Sequence, residues 1–431
     1  MANREPEERA DNVSISIAKK LANFYHPSSE CCIFRTYDGL RRQNEKAYEP
    51  SIVAIGPYHR GKAKLQRMEE YKLWYLQQLL NRVKDKSVND YIMAIKELEE
   101  SARNCYAETI LLKSDEFVEM MLLDGFFIIE LFRKFSMRQL RVENDHIFQS
   151  DRIEYALTRD LILLENQLPF FILVRLFDMT KTDLDLEIVQ IAVTYIESNV
   201  PERKLEAPRG VSINDIKHLL HLVHVCWCFN FAEMDRNATE NQLEFINSAT
   251  KLRESGVQFK KAEERNLFDI KFNSGILEIP SLAILEELSE SFFTNLIAFE
   301  LCPSYHYEPL YVCDYVVFMN CLINSSEDVH MLRRRGIIES WVGDDAEIYS
   351  MWHKLFNITT TYPEKFSYSQ VFNDVNKHCK RRRNRWMANL KRNYFNSPWA
   401  WISFLAATIL LLLTVAQTIF SILSFGKGSF N

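Results

Sequence analysis

Between Arg392 and Lys427 the chain carries no charged side chain. Immediately before this gap, KHCKRRRNRWMANLKR places eight Lys or Arg residues from Lys377 to Arg392, with no acid among them. The run from Trp399 to Leu423 would extend roughly 37 Å as a helix, enough to cross a hydrocarbon core of about 30 Å. Inside lipid a helix satisfies its own backbone, so this segment is expected to span as one helix. Pro398 suits a first helical turn. Trp399 and Trp401 fall at an interfacial aromatic belt, and Leu410, Leu413 and Leu423 lie along the apolar run. A buried core helix is the competing reading, but core helices seldom run so far without a charge.

Orientation follows from the flanks. The positive-inside rule puts Lys380, Arg381, Arg382, Arg383, Arg385, Lys391 and Arg392 on the cytosolic side, against Lys427 alone beyond the span. The opening MANREPEERADNVSISIAKK contains no apolar core of a signal peptide. The expectation is a body in the cytosol, the C-terminal tail on the far side, post-translational insertion, and residence in the plasma membrane or an endomembrane. The basic stem reads either as a topology signal or also as a site for anionic lipid headgroups. Thr414, Gln417, Thr418 and Ser421 recur at i, i+3, i+4 and i+7. They form a polar stripe that either favours self-association or merely softens one end of the span.

The rest of the chain is long enough to bury a sizeable core. Net charge is −6, and nine of the 52 basic residues but none of the 58 acidic ones follow position 376. Residues 1–376 therefore carry 43 − 58 = −15, which argues against nucleic-acid binding by the body. Nine cysteines without a CxxC pair fit reduced, buried thiols better than a disulfide framework. On the cytosolic reading the sequons at Asn12, Asn237, Asn324 and Asn357 stay unglycosylated.

Eleven glycines in 431 residues favour long helices over hairpin arrays. Helical spacing runs through Val13, Ile17, Leu21 and Phe24, then 68–80, 91–106, 117–132, 155–177, 186–196, 213–229 and 292–301. Residues 32–34 and 51–55 look strand-like, and 268–272 and 276–279 flank Asn273-Ser274-Gly275 as a hairpin. The expected fold is mainly α, with a few short strands and one transmembrane helix. Its segments are an N-terminal piece with an amphipathic helix (1–30), a helical domain (31–375), a basic stem (376–397), the span (398–424) and a short tail (425–431). Residues 199–215 and 233–242 are candidate linkers.

Chemistry is less legible. Gly56-Pro57-Tyr58-His59-Arg60-Gly61-Lys62 matches GxxxxGK. Ala63 lacks the magnesium-holding hydroxyl and Pro57 removes a backbone donor, so a structural turn is the better reading. His218, His221 and His224 spread over too much of a helix for all three to share a metal. Only Asp215 is counted beside them at ligand spacing, and a packed helix is preferred. Glu165, Asn166 and Gln167 interrupt an apolar run just before Pro169. There a polar network fixing a helix bend is favoured over a catalytic Glu165. No catalytic, cofactor-binding or metal-binding residue is assigned.

Several of these stretches recur in a plant family known as domain of unknown function 247. The chain resembles it at Asn44, Ala47-Tyr48-Glu49-Pro50, the Ala54–His59 block, Met68 with Lys72, Asp124-Gly125 through Phe132, and Asp160 to Phe170. Further matches are Thr250 to Lys260, Asp269 to Pro280, Asn295 to Cys302, Glu327 to Ile338, and the C-terminal span. Two departures stand out: Thr36-Tyr37 replaces the usual Val-Pro after Arg35, and Ala54 replaces a Ser. The resemblance implies a plant-specific, membrane-anchored protein without an established enzymatic activity. Some members are linked to pollen–stigma self-incompatibility in grasses, which implies recognition or signalling through protein partners. Two other classes stay open: an enzyme of unrecognised type centred on His59, Glu165 or the histidine helix, and a structural tether.

Overall fold

A computed structural model describes residues 12–22, 30–182, 185–198, 200, 211–232, 243–263, 266–305, 309–340, 343–381 and 398–428. The protein is mainly α-helical, and it divides into two compact units, residues 1–229 with 286–308, and residues 230–285 with 309–431. Ahead of the first core lies helix α1 (Asn12–Ala22), whose Val13, Ile17 and Leu21 are exposed.

The first unit is built around one long helix. Helices α2 (Gln66–Arg82) and α3 (Val88–Lys96) precede it, and α4 (Ser114–Ser136) forms the axis. Helices α5 (Asp151–Leu161), α6 (Phe170–Thr180), α7 (Ile188–Glu197), α8 (Leu219–Ala232) and α9 (Glu286–Glu300) complete the unit. The sequence of α4 is mostly apolar from Phe117 to Phe132, as expected for a helix with almost no solvent face there. It buries an unbroken stretch from Met120 to Lys134 and packs against α2, α3, α6 and α7. Tyr75 meets Phe127 at 5.3 Å, Tyr91 meets Phe126 edge-on at 5.0 Å, and Phe132 meets Tyr195 at 5.0 Å. At Gly125 a Cβ would come within 2.6 Å of a Leu176 methyl, so the glycine permits α4 and α6 to approach closely.

Charges at the C-terminal end of α4 are buried but paired, as burial requires. Lys134 donates to Asp145 at 2.7 Å, and the Tyr75 hydroxyl donates to the same carboxylate at 3.0 Å. Arg133 meets Glu130 at 3.1 Å and Asp185 at 3.0 Å. Burial lowers the pKa of Lys134 against the opposing pull of Asp145.

The second unit contains the strands. β1 (Gln258–Ala262) pairs in parallel with β3 (Ile276–Pro280), and β2 (Lys271–Asn273) pairs antiparallel with β3, giving the order β1-β3-β2. The anticipated hairpin is present: Asn273 opposes Ile276 across Ser274 and Gly275. Both turn residues have positive φ, 51° and 88°, as a two-residue type I′ turn demands. A second pair joins β4 (Leu282–Ile284) in parallel to β5 (Ile338–Ser340).

Helices α10 (Tyr311–Leu322), α11 (Ser326–Arg334), α12 (Asp345–Ile358) and α13 (Ser369–Lys380) complete this unit's core. Two buried aspartates act as local organisers. Asp314 accepts from the Ser367 N–H and hydroxyl, each at 2.8 Å. Asp328 accepts from the N–H groups of Thr250 at 2.8 Å and Asn324 at 3.2 Å.

Helix α14 (Pro398–Gly428) has residues 402–421 at a mean hydropathy of 2.1, none of them buried. One helix among the described residues is thus long and apolar enough to cross a membrane. Trp399, Trp401 and Leu423 lie on it, Leu410, Leu413 and Gln417 are exposed, and the Thr414 and Thr418 hydroxyls donate one turn back, each at 2.8 Å. The polar stripe is therefore partly satisfied within its own helix. Of the basic stem, Lys380 and Arg381 are exposed, whereas Arg382, Arg383, Arg385, Lys391 and Arg392 lie outside the described residues. So do residues 201–210 and 233–242, which contain most of the candidate linkers and Asn237. None of the nine cysteines is in a disulfide, and seven of them are buried.

Two sequence expectations need correction. Residues 155–177 do not form one kinked helix: α5 stops at Leu161 and α6 begins at Phe170, with Pro169 immediately before it. Residues 51–55 form no strand either. Both differences come from side chains that take the place of backbone partners, as described below.

Replacing Lys134 with Met should lower unfolding stability by about 3–5 kcal/mol, because a buried carboxylate loses its counter-charge. Urea denaturation of the purified full chain reads this directly; a loss under about 1 kcal/mol would contradict the pairing.

Candidate functional site

The family blocks of the first unit converge on one irregular segment, Ser51 to Gly56. In a sheet its N–H and C=O groups would pair with another strand. Here side chains take that role. Asp160, at the end of α5, accepts from the N–H groups of Ser51 at 2.9 Å, Ile52 at 2.7 Å and Val53 at 3.0 Å. Asn166 accepts from the Ile55 N–H at 2.7 Å and donates to the Val53 carbonyl at 3.1 Å. Asp124, within α4, accepts from the Gly56 N–H at 2.8 Å, while Lys72 of α2 donates to the Ala54 carbonyl at 2.6 Å. Lys72 and Asp124 also pair directly at 2.5 Å.

Burial raises the Asp160 carboxyl above its ordinary range against the lowering effect of the three N–H donors. Burial likewise raises Asp124, countered by Lys72.

The break between α5 and α6 is secured in the same way. Asn166 also donates to the Asp160 carbonyl at 2.9 Å, and Gln167 donates to the carbonyls of Leu161 at 2.7 Å and Leu163 at 2.8 Å. The Gln167 side chain accepts from the Leu220 N–H at 3.1 Å, and the Leu164 N–H donates to Asn295 at 2.9 Å. Asn295 in turn donates to the Ala47 carbonyl at 2.8 Å. The polar network is the expected one, but it stabilises a helix break instead of a bend.

Gly56 cannot be replaced without movement: its φ is +70°, and a Cβ would lie 2.6 Å from the Gln167 carbonyl oxygen. The Gly56 N–H, the first that a phosphate loop would offer, is already given to a carboxylate. Lys62 is paired with Glu49 at 2.8 Å. Pro57 and Tyr58 continue the turn, with the Tyr58 hydroxyl donating to the Ile33 carbonyl at 3.2 Å.

Glu165 and His59 do come together. The Glu165 carboxylate accepts from the Thr36 N–H at 2.8 Å and from Arg41, and Arg35 lies 3.7 Å away. The local turn at the Thr36-Tyr37 departure is therefore anchored by Glu165 itself. Burial pushes Glu165 upward, but His59, the Thr36 N–H and Arg41 outweigh it and hold the carboxyl at about 2.

The His59 Nε2 sits 3.4 Å from a Glu165 carboxylate oxygen, a loose polar contact to which the neutral ring contributes its N–H dipole. Burial lowers the His59 pKa, which leaves the ring neutral near pH 7. Both side chains are 1% exposed. A general base must reach the proton it abstracts, and neither group faces solvent.

The histidine helix α8 packs on the end of α9. The rings of His218, His221 and His224 each lie 5.3–5.5 Å from Phe299. Burial lowers His218 to about 3 and His221 to about 2. His224 differs: its Nε2 is 2.8 Å from a Glu300 carboxylate oxygen and 3.5 Å from the Cys228 sulfur. Cys228 stands one turn past His224, a ligand spacing missed when only Asp215 is counted beside the histidines.

A family model described as plant protein of unknown function, DUF247, matches residues 33–413. The chain belongs to this family. It is 31% identical to the UPF0481 protein At3g47200 of Arabidopsis thaliana, with 93% of this chain and 89% of that protein covered. Identity to the putative UPF0481 protein At3g02645 of Arabidopsis thaliana is 23%, over 94% of this chain and 93% of the relative. No solved structure matches. The clamp residues Asp124, Asp160 and Asn166 all fall in the DUF247 blocks recognised from sequence, as does Glu165.

Because Glu165 is held at about 2 against an ordinary 4.5, its ionisation adds stability that is complete above pH 4.5 and lost as pH falls toward 2. This is worth about 3 kcal/mol. Glu165→Gln should therefore be less stable at pH 7 and show a shallower loss between pH 4.5 and 2 in urea titrations; parallel profiles would refute the assignment.

Proposed function

We propose that the chain is a single-pass membrane-anchored member of the DUF247 family whose body acts through protein contacts and carries no catalytic activity. The observation that carries this reading is α14: twenty consecutive residues, 402–421, wholly unburied at a mean hydropathy of 2.1. An apolar helix of that length left in water exposes far more hydrophobic surface than a soluble protein tolerates. The eight basic residues before it, against Lys427 alone after it, favour a cytosolic body.

The sealing of His59 and Glu165 supports a structural role for the pair over a catalytic one. The exposed apolar face of α1, with Val13, Ile17 and Leu21, supports engagement by protein partners. The basic stem would add attraction to anionic headgroups of about 1 kcal/mol per Lys or Arg near the surface.

Replacing Leu410 to Leu413 with charged residues should release the protein from membranes into the soluble fraction. Protease treatment of intact vesicles should digest the body of the unaltered protein from the cytosolic side. A protected body would overturn the topology, and unaltered membrane retention of the charged variant would overturn the anchor. Purification from membranes with and without the span should recover specific protein partners, and recovery of none would count against the interaction role.

A further inference from the structure

His224 and Cys228 lie four residues apart on α8, so they project from one face of the helix. Glu300, the last residue of α9, meets them there. The three side chains are 2%, 4% and 1% exposed, and one ligand atom from each lies within 4.8 Å of the others. The surroundings are apolar and aromatic: Phe299 and Tyr305 lie 5.3 and 5.1 Å from the His224 ring.

We propose that His224, Cys228 and Glu300 form a zinc site. The donor set is one imidazole nitrogen, one sulfur and one carboxylate oxygen, a combination that suits Zn²⁺ and not the all-oxygen preference of Ca²⁺ or Mg²⁺. Ligands about 2.0–2.3 Å from a tetrahedral zinc stand roughly 3.3–3.7 Å apart. The 3.5 Å from Cys228 Sγ to His224 Nε2 already has that spacing. The 2.8 Å between His224 Nε2 and Glu300 must open by roughly half an ångström, within reach of side-chain rotation.

Charge also balances. A thiolate and a carboxylate neutralise one divalent cation, so the loaded site places no net charge in the interior. On binding, the Cys228 thiol proton leaves to solvent and the imidazole keeps its proton on Nδ1, which frees Nε2 for the metal. Tetrahedral zinc takes a fourth ligand, which a water or another protein group would supply. With ligands from α8 and from the end of α9, the metal would hold those two helices together within the first unit.

The test uses the full chain purified in mild detergent. Metal analysis after zinc loading and removal of excess metal should find about one zinc per chain. X-ray absorption of the same sample should show a single sulfur neighbour at about 2.3 Å with nitrogen or oxygen completing the shell. Cobalt loading should give a thiolate charge-transfer band that Cys228→Ser abolishes and Cys226→Ser retains. Glu300→Gln should weaken zinc affinity at least tenfold in chelator competition. A zinc shell with no sulfur or with several, or a cobalt band that survives Cys228→Ser, would overturn the proposal. The absorption measurement requires no variant, so it decides even if a substitution prevents folding.

Discussion

The carboxylate of Asp160 is the contact on which the first unit depends. It gathers three successive backbone N–H groups, from Ser51, Ile52 and Val53, into one buried point at the end of a helix. An irregular chain taken into a core without a neighbouring strand would otherwise leave its peptide groups unsatisfied. Asn166, Asp124 and Lys72 continue the same substitution of side chain for strand through Gly56. The helix break at residues 162–169 then has a physical purpose: it brings Asn166 and Glu165 to bear on residues from the N-terminal part of the chain. The buried polar groups Lys72, Asp124, Asp160 and Asn166 of this chain thus hold irregular backbone inside a helical bundle.

That arrangement separates what could be read in the sequence from what could not. Helix α2 was legible because its apolar stripe reports the face it buries, and α4 because it is apolar on almost every side. The two-residue turn at Ser274-Gly275 was legible for a similar reason: local chemistry determines it. Residues 51–55 have the apolar, β-branched character of a strand because Val53 to Ile55 are buried, but periodicity cannot reveal whether another strand or a set of side chains satisfies them. The run 155–177 keeps helical spacing through Leu163 and Leu164, and only long-range contacts show why the helix stops. Asn166 and Gln167 bond back to carbonyls at the end of α5 and within the break, while Val53, Ile55, Leu220 and Asn295 bind the break from far along the chain, which no local pattern encodes.

The polar residues that stood out as candidate chemistry divide in the same way. Glu165 and His59 are neighbours, as a catalytic pair would be, yet the carboxylate is occupied by Thr36 and Arg41 and both groups are sealed. Along the histidine run, His218 and His221 are driven toward neutrality by burial, whereas His224 meets a sulfur and a carboxylate. Glu300 lies 76 residues from His224 in the sequence, so this grouping emerges only when α8 and α9 pack together. The apolar C-terminal helix, by contrast, needs no tertiary information, because its length and lack of charge are local facts.

Amide hydrogen exchange across residues 51–56 tests the central claim most directly. If side chains replace a partner strand, the N–H groups of Ile52, Val53, Ile55 and Gly56 will exchange as slowly as those in the middle of α4, although the segment has no regular secondary structure. Exchange at the rate of an exposed loop, with α4 still protected, would contradict the account.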